Sequence, residues 1–175
     1  MKLTAKWICP AEEFGEICPQ YEKSFASCGG EIAEARLYIT ALGVYEARLN
    51  GKRVGNFYLA PGWTEYSKRL QYQAYDVTEC IKKENLLCVT CGKGWYRSRL
   101  DVPGDTFNAK IREKPAGILV RLEITYSSGE KQAVISDDGW SVRKSKIVFS
   151  EIYDGEIYDS SVETDGKPSD RKSVV

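Results

Sequence analysis

The sequence has 175 residues with 25 basic and 25 acidic side chains, so its formal net charge is zero. A neutral chain has no general attraction for nucleic acid or for an acidic membrane surface, and we predict neither as a partner. No apolar run approaches the ~20 residues of a membrane span, and the N-terminal residues lack the apolar core of a signal peptide, which predicts a cytoplasmic protein.

Short strands separated by turns are predicted along most of the chain. The Asn50-Gly51 pair is a strong hairpin signal, because both residue types accept the positive φ of a type I′ turn. Residues 92–117 contain six glycines and prolines and little periodicity, which predicts a long exposed loop. Strands are predicted over 35–42, 44–49, 52–57, 69–77, 85–91, 117–127, 131–136, 140–142, 147–152 and 157–159.

This spacing of roughly ten residues per strand, with no helix longer than a turn, predicts an all-β sandwich or jelly roll. The sandwich is predicted over residues 35–163. Residues 1–34 are largely irregular, with Trp7-Ile8 and residues 21–25 as candidate short strands, and are expected to pack on the sandwich. The polar residues 164–175 are expected to form a flexible tail. Trp63 follows Pro61-Gly62 in a turn-rich link and is expected to be a buried plug between the sheets.

Six cysteines and no histidine limit the chemistry of the chain. Cys88 and Cys91 have CxxC spacing, but they lie in an apolar run typical of a strand, where positions three apart face opposite sides. We therefore predict mostly reduced, buried thiols, with a disulfide near the N-terminus or adventitious metal as the alternatives. Without histidine, the usual serine and cysteine triads are excluded.

Three motifs within residues 35–97 carry a resemblance to a known family: ARLYITALGVYEARLNGKRVG, LAPGWTEYSKRLQYQAYDVT and CGKGWYR. In order and spacing they resemble the N-terminal domain of bacterial α-L-rhamnosidases, family 78 glycoside hydrolases. The resemblance extends less sharply over about residues 5–160. It implies a jelly-roll β-sandwich similar to galactose-binding-like folds and to family 67 carbohydrate-binding modules.

The resemblance also implies a role. In the full enzyme a large α/α barrel carries the catalytic carboxylates, and that barrel is absent from these residues, so the chain is expected to be an excised domain or a truncated reading frame and not itself an enzyme. The hypothesis is a non-catalytic accessory domain that recognises L-rhamnose or a rhamnose-containing glycan, or that supports the catalytic domain. The alternatives are a purely structural module without a ligand and a stand-alone lectin.

The candidate sugar-binding residues are Trp95, Tyr96 and Arg97, where a strand runs into the long loop. A sugar site needs an aromatic face for the apolar side of the ring and fixed hydrogen-bonding groups for its hydroxyls. The alternative is that Trp95 caps the core and Tyr96 packs on the loop. Further polar side chains follow within reach: Ser98, Arg99, Asp101 and Asp105.

Calcium enters only through the resemblance, since some members of the family bind rhamnose with its help. The possible oxygen donors are Asn50, Asp101, Asp105, Asn108 and the carbonyl of Pro103. Asn50 is also kept as a candidate sugar contact, although its hairpin turn explains it more simply. Nearby positive charges oppose a cation, so we predict no cofactor and no metal site.

A cluster of carboxylates, Asp154, Glu156 and Asp159, invites a catalytic interpretation. Glycoside hydrolysis uses paired carboxylates about 5–10 Å apart across a cleft. The alternating spacing of Asp154 and Glu156 predicts instead that they share one face of a strand and make turn and surface contacts to neighbouring arginines. We therefore assign no catalytic residue.

Overall fold

The structure is a computed structural model that describes residues 4–12, 14–66, 68–99, 116–164 and, as backbone only, 171–174. Within these ranges the chain forms strands and one short 3-10 turn, Thr78–Cys80. The strands are β1 (Trp7–Pro10), β2 (Pro19–Ala26), β3 (Ile32–Leu42), β4 (Val44–Leu49), β5 (Lys52–Arg53), β6 (Gln73–Asp76), β7 (Glu84–Gly92), β8 (Gly117–Tyr126), β9 (Lys131–Ile135), β10 (Ser141–Lys144), β11 (Ile147–Glu151), β12 (Gly155–Tyr158) and β13 (Arg171–Val174).

The strands form two antiparallel sheets and a separate hairpin. Sheet A has the order β13-β1-β8-β3-β6, with β9 also paired to β8. Sheet B has the order β10-β2-β7-β4-β5, and β11 pairs with β12 in the hairpin. This is the predicted all-β jelly-roll sandwich, and it presents the outer face of sheet B beside the β11–β12 hairpin.

Alternating side chains from both sheets fill the core. In β8 the predicted inward face is confirmed, since Ile118, Val120, Leu122 and Ile124 are all 0% exposed. Burial of each such side chain contributes about 1.5–3 kcal/mol, so one strand contributes substantially to stability. Trp140 is also fully buried, and its indole N–H donates to the Ile135 carbonyl at 2.7 Å.

The ends of the chain differ from the expected arrangement. The candidate short strands at Trp7-Ile8 and residues 21–25 are β1 and β2, and they are members of the two sheets instead of a segment packed on the sandwich. Tyr21 of β2 is fully buried and its hydroxyl donates to the Ala116 carbonyl at 3.0 Å, while the outward Glu22 pairs with Arg143.

The C-terminal residues expected to form a tail also contribute to a sheet, because β13 pairs along the whole of β1. Two predicted strands are shorter than expected. The ladder of β5 stops at Arg53, and that of β6 begins at Gln73. Between them the chain runs as an irregular link over residues 54–66 and 68–72.

The predicted hairpin between β4 and β5 is confirmed, with φ values of 54° at Asn50 and 81° at Gly51. The opposite facing of the CxxC pair is also confirmed, since Cys91 is 1% exposed while Cys88 is half-buried on the outer face of sheet B. The six cysteines are free thiols in the structure. Within the described ranges, no helix has the length and apolar character needed to cross a bilayer.

Candidate functional site

The loop after β7 begins with a tight turn that only glycine fits well. Gly94 has a φ of 53°, and a Cβ atom there would lie 2.8 Å from the Val44 backbone nitrogen. The chain therefore turns directly against the start of β4. The Arg97 N–H donates to the Lys93 carbonyl at 3.2 Å, which closes the turn and fixes the intervening aromatic residues.

The ring of Trp95 lies parallel to the ring of Trp63, with centroids 6.4 Å apart and planes inclined by 8°. We call these two rings the tryptophan platform. Trp95 is half-buried, whereas Trp63 is 57% exposed, so one side of the outer indole is open to solvent. An open, flat aromatic face of this kind suits the apolar face of a sugar ring.

The expectation that Trp63 is a buried plug between the sheets is wrong. The link that carries it lies outside both sheets, and the interior is already occupied by side chains from the strands, such as Trp140 and Tyr21. Trp63 packs instead on the half-buried indole of Trp95. Its position after Pro61-Gly62, in a turn-rich link, was the sequence signal for a surface position.

Tyr96 supports the loop from within. It is 7% exposed and meets the ring of Tyr66 edge-to-face, with centroids 5.1 Å apart and planes at 85°. Burial raises the pKa of Tyr66 to about 12, and the pKa of Tyr96 is also raised by burial. Tyr96 is therefore a packing residue, as the alternative interpretation held, and not an open sugar-contacting surface.

Arg97 is half-buried and lies beside the N-terminal segment of the chain. It lines a cavity of about 210 Å³ together with Glu12, Phe14 and Glu16, and the lining includes neither platform tryptophan. Among the described residues its Nε is buried without a hydrogen-bond partner. Trp95 and Arg97 thus lie in one loop, and the cavity that Arg97 lines does not include Trp95.

A buried carboxylate attaches this loop to the β11–β12 hairpin. Glu151 is 7% exposed, and its Oε1 accepts the Ser98 hydroxyl at 2.7 Å and the Arg99 N–H at 3.3 Å. Its Oε2 accepts the Tyr153 N–H at 2.6 Å. Burial pushes the pKa of Glu151 upward, but these hydrogen bonds to the ionised form outweigh it, and the pKa is lowered.

The acidic cluster is used in surface and turn contacts. Asp154 lies in the hairpin turn and accepts two hydrogen bonds from the Arg99 guanidinium, at 2.8 and 2.7 Å. Asp159 accepts the N–H and the hydroxyl of Ser161. Glu156 lies in β12, so Asp154 and Glu156 do not share the face of one strand as predicted. These contacts to an arginine and a turn are of the kind the sequence indicated.

Asn50 lies far from the tryptophan platform. Its Oδ1 accepts the Leu86 N–H at 2.9 Å, and its Nδ2 donates to the Cys80 carbonyl and to Asn85. These partners surround the start of β7, whereas Trp95 follows the end of that strand, about 20 Å away at the usual rise per residue. Asn50 is therefore a structural residue of the hairpin and not part of a site with Trp95.

The same contacts argue against Asn50 as a side-chain calcium ligand, since its Oδ1 already accepts a backbone N–H. The other candidate donors, Asp101, Pro103, Asp105 and Asn108, lie outside the described residues. In the part of the chain that the structure describes, no group of three His, Cys, Asp or Glu side chains is arranged to hold a metal ion.

Comparison with known proteins identifies the family. The family model described as the α-L-rhamnosidase N-terminal domain matches residues 30–171. The chain belongs to this family. An α-L-rhamnosidase of Streptomyces avermitilis is 38% identical over 172 residues, which cover 94% of this chain and 16% of that protein.

Solved α-L-rhamnosidases have the same fold. The native Aspergillus terreus enzyme aligns with a TM-score of 0.85 and 37% identity, covering 98% of this chain and 21% of that chain. The Streptomyces avermitilis enzyme complexed with L-rhamnose aligns with a TM-score of 0.77 and 37% identity, covering 88% of this chain and 15% of that chain. The chain thus spans a small part of its relatives' length, and the catalytic domain of a rhamnosidase is absent from it.

Proposed function

We propose that this rhamnosidase N-terminal domain is a non-catalytic accessory module that binds carbohydrate on the tryptophan platform, with L-rhamnose or a rhamnose-containing glycan as the ligand. The observation that carries the proposal is the parallel pair Trp63–Trp95 with 57% of Trp63 exposed. A stacked indole pair with one open face is an exposed aromatic surface of the kind that sugar-binding sites use.

The chemistry of the platform suits a deoxy sugar. The methyl group and axial hydrogens of rhamnose form an apolar patch that packs on an indole face. Trp95 behind Trp63 holds the outer ring in a fixed orientation, so little side-chain entropy is lost when a sugar binds. One relative was solved in complex with L-rhamnose, which makes that sugar the first ligand to test.

The expected affinity is weak, in the range of roughly 0.1–10 mM, because a monosaccharide makes few contacts and competes with water for each. The test is a titration of the ¹⁵N-labelled chain with L-rhamnose, followed by NMR. The indole N–H signals of Trp63 and Trp95 should shift. Trp63→Ala should abolish the shift at Trp95 while the fold is retained.

Tyr72→Ala is the matched control, because Tyr72 is 63% exposed and contacts Tyr38 on sheet A rather than the platform. It should leave rhamnose binding unchanged. Absence of any indole shift at tens of millimolar sugar, with or without calcium, would refute sugar binding at the platform.

A second candidate function is support of the catalytic domain in the full enzyme. It is favoured by apolar side chains that stay exposed outside the platform, including Phe57 at 49% and Ile157 at 57%. Such residues are typical of a surface that another domain covers. If this is their role, Phe57→Ser and Ile157→Ser should weaken binding of this chain to a separately produced catalytic domain and leave rhamnose titrations unaffected.

A further inference from the structure

A groove of about 630 Å³ crosses the outer face of sheet B, and the platform tryptophans are not among its lining residues. Its floor is a row of side chains that lie directly opposite one another on four neighbouring strands. Arg143 of β10 pairs with Gln20 of β2, Gln20 with Thr90 of β7, and Thr90 with Glu46 of β4. At the usual strand spacing this polar row is about 14 Å long.

Several charged side chains of the floor are held in ion pairs. Glu46 accepts the Arg48 Nε at 2.7 Å and lies 3.3 Å from the Arg53 Nε, while Arg143 pairs with Glu22. Paired side chains of this kind offer oriented donors and acceptors without a large net charge. The Nε of Arg143 is buried and has no hydrogen-bond partner among the described residues. The floor therefore offers oriented donors and acceptors, including this free N–H, to the hydroxyls of a ligand.

One wall of the groove is a fixed aromatic rim. The Arg53 guanidinium lies 4.0 Å from the centroid of the Tyr58 ring, and Tyr58 is 74% exposed. The next residue, Leu59, has a φ of 55°, a left-handed conformation that is strained for a side chain of this size. The Tyr45 N–H donates to the Ala60 carbonyl at 2.8 Å and fixes this strained segment against β4.

The opposite wall is the β11–β12 hairpin, which presents Tyr158 at 63% exposure. The Cys18 N–H donates to the Ile147 carbonyl at 2.9 Å, and the Ser145 N–H donates to the Cys18 carbonyl at 3.0 Å. These bonds fix the base of the hairpin to the start of β2. Both walls are thus positioned before any ligand arrives, which lowers the entropic cost of binding.

We propose that this groove binds a neutral oligosaccharide, with its ring faces against Tyr58 and Tyr158 and its hydroxyls on the row from Arg143 to Glu46. The volume lies within the range of pockets that enclose small ligands and exceeds what one monosaccharide needs. The choice of rhamnose as the sugar rests on the proposed function, but the groove does not share a described residue with the platform. It is a second carbohydrate site for an extended chain.

The test uses the ¹⁵N-labelled full chain and an α-1,3-linked L-rhamnose tetrasaccharide. The tetrasaccharide should shift the backbone amides of Gln20, Thr90 and Tyr158. Tyr158→Ala should lower the affinity obtained from these shifts roughly tenfold, since one stacking surface is lost. Thr90→Val keeps the strand-forming shape but removes a hydroxyl, and it should weaken binding by roughly threefold to tenfold.

Tyr153→Ala is the matched control, because Tyr153 is an exposed tyrosine on the same hairpin, 55% accessible, that does not line the groove. It should bind like the wild type. Absence of shifts at Gln20 and Thr90 would overturn the proposal, as would equal losses in the Tyr153 and Tyr158 variants or tighter binding of a sulfated tetrasaccharide.

The variant Trp63→Ala distinguishes the groove proposal from the platform proposal. If the tetrasaccharide still shifts the groove amides in this variant, and rhamnose does not shift the indole signals of the wild type, the groove proposal stands and the platform proposal fails. If the tetrasaccharide shifts only the indole signals of Trp63 and Trp95, the groove proposal fails and the platform proposal stands.

Discussion

The Oε1 of Glu151 accepts the hydroxyl of Ser98 at 2.7 Å across 53 residues of sequence, and both side chains are buried. This bond joins the loop that carries Trp95 to the hairpin that forms one wall of the groove. The same carboxylate also accepts backbone N–H groups from both segments, Arg99 in the loop and Tyr153 in the hairpin. One ionised side chain therefore fixes the positions of two surfaces that we propose to bind sugar.

Glu151→Gln should lower the free energy of unfolding by about 1–3 kcal/mol, the usual cost of leaving buried polar groups unsatisfied. The amide keeps one accepting oxygen but turns an NH₂ group toward backbone N–H donors, so part of the network is lost. Chemical denaturation measures the change. Glu84→Gln, at an exposed position of β7, is the control and should have almost no effect. Equal midpoints for wild type and Glu151→Gln would contradict the role assigned to this carboxylate.

The same residue predicts a pH dependence of stability. The pKa of Glu151 is lowered in the folded state from its ordinary value of 4.5. The ionised carboxylate therefore contributes its full stabilisation above about pH 4.5, and this contribution is lost as the pH falls through the lowered folded-state value. Unfolding midpoints measured from about pH 6 to about pH 3 should fall less steeply for Glu151→Gln than for the wild type. Parallel curves would show that Glu151 is not the group responsible.

Replacement of Gly51 by valine should destabilise the fold by about 1–3 kcal/mol, because a β-branched residue resists positive φ. A Cβ at this position would meet nothing within 4 Å, so the cost is conformational and not a clash. Gly51→Asn is the matched control, since asparagine tolerates the left-handed region, and it should cost much less. The two variants should differ in denaturation midpoint, and identical midpoints would exclude the turn assignment.

The sequence predicts structure well where the signal is local. The inward alternation of β8 and the Asn50-Gly51 hairpin are both visible within a few residues, and the structure confirms them. The sequence does not predict contacts between residues that are far apart in the chain. The stacking of Trp63 on Trp95 depends on how an irregular link folds back over a loop, and neither residue's neighbours encode that contact.

The groove shows the same limit more clearly. Its floor residues Gln20, Thr90 and Arg143 come from strands that are not consecutive in the chain, so their alignment depends on the strand order and register of sheet B. Neither property can be read from a period-2 pattern. Asn50 is the converse case, since a polar residue that looks available in the sequence has all its side-chain groups bonded within the fold.

The six cysteines should titrate as at least four free thiols in denaturant without reductant, since the structure holds all six as free thiols. In the native protein the exposed Cys28 should react first. Burial raises the pKa of Cys18 and of Cys88 to about 12, so little thiolate is present at these two positions near pH 8. Mass spectrometry after partial labelling identifies the first modified site. A count of two thiols or none would contradict the prediction.

The two tryptophans of the platform should respond differently to replacement by alanine. Trp63 is 57% exposed, so Trp63→Ala should change the free energy of unfolding by less than about 1 kcal/mol while abolishing rhamnose binding. Trp95 is half-buried and supports both Trp63 and the loop, so Trp95→Ala should cost about 1–3 kcal/mol and also weaken binding. Denaturation and rhamnose titration on the same samples separate the two effects.

Trp95→Phe is the variant to compare with Trp95→Ala, because it keeps an aromatic surface behind Trp63 and loses only part of the stacked area. It should recover most of the stability and part of the rhamnose affinity that Trp95→Ala loses. If Trp95→Ala lowers stability but leaves rhamnose affinity unchanged, then Trp95 caps the core and the sugar does not rest on this pair. In that case the exposed face of Trp63 is best explained as a contact surface for the rest of the enzyme.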